Sequence, residues 1–146
     1  MKIELRRIST LQHLVKAQTR SLVMDVDTNL GGEDVGFRPF EVWLTSLSSC
    51  SAYTMTRYAR ENKMDLQDIQ MTAEDTVDET GHISAVTFHV ATKGDLTKEQ
   101  KEELFTYVRN NCKLLRTVSS NIQVHYLDAQ AEEGENCKVE GGNCCL

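Results

Sequence analysis

The stretch PFEVWLTSLSSCSAYTMTRYAREN, residues 39–62, decides how the rest of the chain is read. It opens on the only proline, Pro39, which suits the first turn of a helix, where no N–H is missed. Nothing from there to Asn62 breaks a helix. Phe40, Trp43, Leu47, Cys50, Thr54 and Tyr58 recur at three- and four-residue steps and predict one apolar stripe. At about 1.5 Å per residue the helix is long enough to cross a whole domain. Its middle, LTSLSSCSAYTM (44–55), is mostly small and hydroxylic around a single cysteine. Small residues let a helix pack closely on both sides, and Ser or Thr hydroxyls bond back to carbonyls one turn earlier. Cys50 therefore reads either as a small buried hydrophobe or as a thiol that the helix presents.

Outward from this helix the pattern changes period. Upstream, IELRRI, LQHLVKA and RSLVMDVD read as extended, suiting two strands of a hairpin with a long, bent first strand and a break at Gln18-Thr19, and TNLGGEDVGF (28–37) as a loop. Downstream, DIQMTAEDTV (68–77) and HISAVTFHVATKG (82–94) read as a hairpin around Glu79-Thr80-Gly81. Neither face of the second of these strands is strongly polar, so it reads as buried on both sides. Thr97 and Gln100 form a T-x-x-Q capping box at the start of a second helix, with Leu104, Phe105 and Val108 on its apolar face. NCKLLRTVSSN (111–121) reads as a turn or short helix, and IQVHYLD (122–128) as a last strand. The order βββ–α–ββ–α–β makes an α+β domain over residues 1–128, with two helices on a largely antiparallel sheet. Residues 129–146, AQAEEGENCKVEGGNCCL, hold no aromatic and little to bury, and read as a flexible tail.

Composition narrows the function. The 146 residues carry 16 Lys and Arg against 22 Asp and Glu, a net charge of −6 that disfavours nucleic acid as a partner. No apolar run approaches the ~20 residues that span a bilayer, and MKIELRRIST has no apolar signal core. A cytoplasmic, reducing setting is the expectation, in which cysteines are more often thiols than structural disulfides. His13, His82, His89 and His125 show no ligand spacing, and neither a phosphate loop nor a G-x-S-x-G occurs. The tail's Cys137, Cys144 and Cys145 form a C-x6-C-C array open to soft-metal binding or thiol exchange. No C-x-x-C is present, so metal binding there competes with a tail that does neither.

Two cysteines remain. Cys50 lies mid-helix, away from the helix N-terminus that would activate it, and needs a cation from another element to become a good nucleophile. Cys112 lies at a helix end before a turn whose amides are placed to lower its pKa. Whether the two meet depends on the fold.

The run GGEDVGFRPFEVWLTSLSSCSAYTMTRYARENK, with NCKLLRTVSSNIQV placing a second cysteine 62 residues after the first, resembles the OsmC/Ohr family of thiol-dependent peroxidases. The shared features are Gly31, Gly32, Gly36, Pro39, Glu41, Cys50, GDLTKEQ (94–100), Cys112, Arg116, Thr117 and Val118, over about residues 10–127. The resemblance implies an OsmC-like fold: two long helices on antiparallel sheets in an intertwined homodimer, with a site at each subunit interface. It implies Cys50 as the peroxidatic thiol, Cys112 as the resolving thiol, an organic hydroperoxide as substrate and an external thiol as reductant, with no cofactor.

The chain departs from that pattern in places. Where the hydroperoxide-resistance branch has a glutamate ten residues before the first cysteine, this chain has Phe40; Glu41, nine before, follows the OsmC-like branch. Nine helical residues span about 13.5 Å and end half a turn out of phase, so Glu41 can meet Cys50 only across a dimer. The family's arginine aligns with Leu11, leaving Arg6, Arg7 and Arg20 as imperfect substitutes, and Lys113 replaces a proline. These departures keep open a second function, a dimeric module that binds a small apolar ligand at its interface with Cys50 as lining.

Overall fold

The computed structural model describes residues 1–130. Pro39–Glu61 forms the long helix α1, with Pro39 in its first turn and the Glu41 carboxylate accepting the Arg38 backbone N–H at 2.8 Å. Three strands precede it: β1 (Glu4–Arg7), β2 (His13–Ala17) and β3 (Arg20–Met24), an antiparallel meander. After it come β4 (Asp68–Val77), β5 (Ile83–Lys93), helix α2 (Lys98–Asn111) and β6 (Gln123–Asp128), with single 3-10 turns at Thr28–Leu30 and Leu115–Thr117. The order matches the reading of the sequence, and Thr97 caps α2 with Gln100 as expected, its side chain accepting the Gln100 N–H at 3.2 Å.

Within the largely antiparallel arrangement expected, the second sheet holds one parallel pair. Its order is β4-β5-β6; β4 and β5 are antiparallel, but β6 runs parallel to β5, with Phe88 opposite Tyr126. The reason is the connection: α2 carries the chain back along the sheet before β6 is laid down, as a parallel neighbour requires. Val86, Phe88 and Val90 point inward from β5 and are wholly buried, while its other face is mostly half-buried. They meet Leu47, Met55 and Ala59 of α1 and Leu104, Phe105 and Val108 of α2, closed by Tyr126 and Cys112.

The buried face of α1 is turned from the expected stripe. Leu47, Ser51, Thr54, Met55 and Ala59 are buried, Cys50 sits on the flank, and Phe40 is 65% exposed. Periodicity found the helix, but the shape of the sheet beneath chose its azimuth.

The first sheet stands apart. Among the described residues, none before Trp43 belongs to the core or packs against it, and β1 is exposed along its whole length, with Leu5 61% accessible. It has its own anchor at the loop before α1. Asp25 is buried there, its carboxylate taking the N–H groups of Val26 at 2.8 Å, Glu33 at 3.2 Å and Val35 at 3.3 Å, and the Gln12 amide at 3.3 Å. A Cβ at Gly32 would fall 1.9 Å from the Val26 carbonyl oxygen, so only glycine lets the loop close this tightly. The readings made for residues beyond 130, including Cys137, Cys144 and Cys145, lie outside the described residues.

Two outcomes follow from the packing. Phe88→Ala removes a wholly buried ring and lowers unfolding free energy in urea by about 3–5 kcal/mol. Burial works against the charge on Asp25, but the three N–H groups and the Gln12 amide outweigh it and hold the carboxyl below its usual range. A carboxylate lowered in the folded state stabilises above its unfolded pKa of about 3.9, and that stability is lost as pH falls through the lower folded value. Asp25→Asn therefore lowers the urea midpoint at pH 7, and its gap from wild type narrows as pH is taken below about 4.

Candidate active site

Cys50 comes from the middle of α1 and Cys112 from the C-cap of α2, where its N–H bonds the Val108 carbonyl at 2.9 Å. The fold brings the two thiols into one neighbourhood: Cys50 packs against the core cluster that includes Cys112, and both are free. The pair is asymmetric. Cys112 is fully buried, whereas Cys50 keeps part of its surface open. A reagent from solvent therefore reaches Cys50 first.

The expected activation of Cys112 is reversed. Burial, foremost, pushes the thiol up and Cys50 adds in the same direction, outweighing the backbone N–H groups of Leu115 and Leu114, which favour the thiolate. A sulfur out of water, facing another sulfur, is held as a neutral thiol.

Glu41 is not beside Cys50 in the chain. It lies at the start of α1, held by Arg38, whose Nε donates to it at 2.8 Å while the same guanidinium grips Asp27 through Nη1 at 2.8 and 3.0 Å. The Arg38 bond, foremost, keeps the Glu41 carboxyl below its usual range, and the two carboxylates raise Arg38. The three side chains lie partly exposed at one end of the helix. Arg6, Arg7 and Arg20 are solvated strand residues; Arg20 reaches only the Ala17 carbonyl and Gln18.

Four neighbours were missed in the sequence. Arg38 is the arginine that partners Glu41, and its signal was the i, i+3 spacing in RPFE. Tyr126 lies on β6 near both thiols, its hydroxyl 2.7 Å from the Ser51 hydroxyl of α1. Arg109 lays its guanidinium 5.5 Å from the centre of the Tyr126 ring. Burial, foremost, drives the Tyr126 phenol far above its usual range. No local pattern links Ser51, Arg109 and Tyr126, which meet only in the folded chain.

Among the described residues no group of three or more His, Cys, Asp or Glu side chains is arranged around a metal position. No helix there is long and apolar enough to cross a membrane.

Solved structures share this architecture. The OsmC-like protein from Mycoplasma pneumoniae superimposes with a TM-score of 0.77 at 12% identity, over 88% of this chain and 95% of that one. The organic hydroperoxide resistance protein OsmC of Legionella pneumophila gives 0.69 at 19% identity, over 88% and 96%. The organic hydroperoxide resistance protein OhrB of Bacillus subtilis gives 0.66 at 18% identity, again over 88% and 96%. At such identities the likeness speaks for the fold alone. No curated protein matches the sequence significantly. The family model for OsmC-like proteins matches residues 31–126, from the loop before α1 through both cysteines to Tyr126. The match takes in about two thirds of the sequence, and the chain belongs to the OsmC-like protein family.

Proposed function

We propose that the protein is a thiol-dependent peroxidase that reduces organic hydroperoxides, with Cys50 as the peroxidatic and Cys112 as the resolving thiol. One observation carries this reading: two cysteines 62 residues apart lie in one core neighbourhood, Cys50 half-buried at its edge and Cys112 buried within it. The hydroperoxide resistance proteins of Legionella pneumophila and Bacillus subtilis, which share the fold, point the same way.

The chemistry runs in three balanced steps. The Cys50 thiolate attacks the peroxide oxygen, the O–O bond breaks, and the alcohol leaves with a proton while Cys50 becomes a sulfenic acid. Cys112 then gives up its proton and attacks that sulfur as the thiolate; the S–S bond forms as the S–O bond breaks, and the hydroxyl leaves with the proton as water. An external dithiol reduces the disulfide, becoming a disulfide itself and returning both thiols. A resolving cysteine kept neutral does not compete for the peroxide, which suits the raised Cys112.

The working unit is a homodimer. The first sheet, with Leu5 exposed, and the start of α1, with Phe40 exposed, offer apolar surface that the chain itself leaves uncovered. A partner covering this surface brings its Arg38–Glu41 pair toward the Cys50 of this chain, the route left open by the separation of Glu41 and Cys50 along α1. Phe40 in place of a charged group also favours a second reading, an interface pocket for a small apolar ligand with Cys50 as lining.

Cys50→Ser abolishes consumption of cumene hydroperoxide, and Cys112→Ser leaves a sulfenic acid on Cys50 that dimedone traps. Hydroperoxide turnover retained by Cys50→Ser refutes the peroxidase reading. Thiols left unreacted by one equivalent of hydroperoxide, with an apolar probe bound, establish the second.

Glu41→Gln loosens the Arg38 guanidinium that it holds and lowers kcat/KM at pH 7 about tenfold, within what misplacing a positioned group causes. Because Glu41 is to serve the partner's thiol, mixing Cys50→Ser chains with Glu41→Gln chains restores turnover in the heterodimer. A mixture no more active than Glu41→Gln alone places Glu41 outside the partner's site.

A further inference from the structure

The hydroxyl residues of α1 do not all behave alike. Ser46, Ser48, Thr54 and Thr56 fold back on the carbonyls of Val42, Leu44, Cys50 and Ala52, at 2.6, 2.8, 2.7 and 2.9 Å. Ser51 instead reaches another element, the Tyr126 hydroxyl of β6, at 2.7 Å. It is wholly buried and adjoins Cys50.

Tyr126 touches α1, α2 and β5. Its ring stacks on Phe88 of β5, centroids 4.9 Å apart, and on Phe105 of α2 at 5.9 Å, under the guanidinium of Arg109. Its hydroxyl is the hold on α1. The helices also meet where Tyr58 stacks on Tyr107 at 3.8 Å, but Tyr58 lies about 12 Å along α1 from Cys50. α1 and α2 also pack directly in the core; near the thiols the Ser51–Tyr126 hydrogen bond adds a tie through a ring stacked on Phe105 of α2.

We propose that Tyr126 is a positioning residue for the thiol pair, its hydroxyl holding Ser51 so that the next side chain, Cys50, faces Cys112 at closing distance. Consecutive residues on a helix point about 100° apart. Fixing Ser51 into the core therefore fixes Cys50 on the flank that α2 approaches. Disulfide geometry makes this matter: Cα atoms must lie about 4.4–6.8 Å apart with matched Cβ directions, so a small roll of α1 defeats closure. The role deepens the proposed function, since closure of this pair is one of its steps.

The test separates positioning from folding and from peroxide chemistry. Tyr126→Phe keeps the ring stacking and removes only the hydroxyl; Ser51→Ala removes the other partner. Reduced protein is mixed with glutathione disulfide, so that the Cys50 and Cys112 thiols give up two hydrogens to form one disulfide while two glutathione thiols are released. Closure is followed by mass spectrometry, beside iodoacetamide alkylation of Cys50 and urea denaturation. Each variant is expected to slow closure about tenfold, a loss well within what small misplacements of reacting groups cause. The double variant should be no slower than either, because the two changes break one interaction, and Cys50 alkylation should stay within about twofold of wild type.

Closure by Tyr126→Phe at the wild-type rate overturns the proposal. So does a parallel fall of closure, alkylation and urea midpoint, which marks a role in stability alone. A wild-type protein that closes with glutathione disulfide yet consumes no hydroperoxide removes the peroxidase reading and leaves the positioning role standing. A wild-type protein that never joins the two thiols overturns both.

Discussion

The close seat of α1 on the sheet β4-β5-β6 is the constraint on which the rest depends. Its buried face alternates bulk with small or hydroxylic residues, Leu47 and Met55 with Ser51, Thr54 and Ala59. Such a face lets the helix axis approach closely, and interiors are packed tightly enough that the approach is specific. Everything at the thiols follows from it. Ser51 comes within reach of Tyr126, Cys50 falls at the edge of the core, and the C-terminus of α2 arrives opposite. A helix of larger side chains would stand off from the sheet and leave the two sulfurs apart.

Much of this was legible in the sequence and some was not, for identifiable reasons. Pro39, the alternation across residues 83–93 and the Thr97–Gln100 box are local signals, and the corresponding elements lie where those signals put them. Phe40 shows the limit of periodicity, which yields a stripe without saying which neighbour covers it; in the chain that side chain is exposed. The direction of β6 has no local signal, because a strand becomes parallel or antiparallel through its connection. The raised Cys112 shows the same limit in electrostatics. Its turn amides could be read from sequence and do favour the thiolate, but the burial that outweighs them is a property of the whole core.

Two carboxylate arrangements near the start of α1 show how differently charge is handled. Asp25 is taken out of water and satisfied by four donors, so its charge builds a loop. Asp27 and Glu41 share one guanidinium in partial contact with solvent, so their charge stays near the surface, where screening keeps such pairs weak contributors to stability. The first arrangement organises the entry to α1, and the second leaves a preformed ion pair at its tip.

The parallel pairing of β5 and β6 has a consequence for synthesis. Cys112 rides at the end of the helix that connects those two strands, and Tyr126 arrives only with the last of them. As the chain emerges from the ribosome, Cys50 is made more than sixty residues before its partner, at about 5–20 residues per second. For those seconds the sulfur of α1 has neither Cys112 nor the Tyr126 clamp. The sheet that shields the pair is completed after both thiols exist, so the nascent protein passes through an interval in which Cys50 is a bare thiol on an uncovered helix.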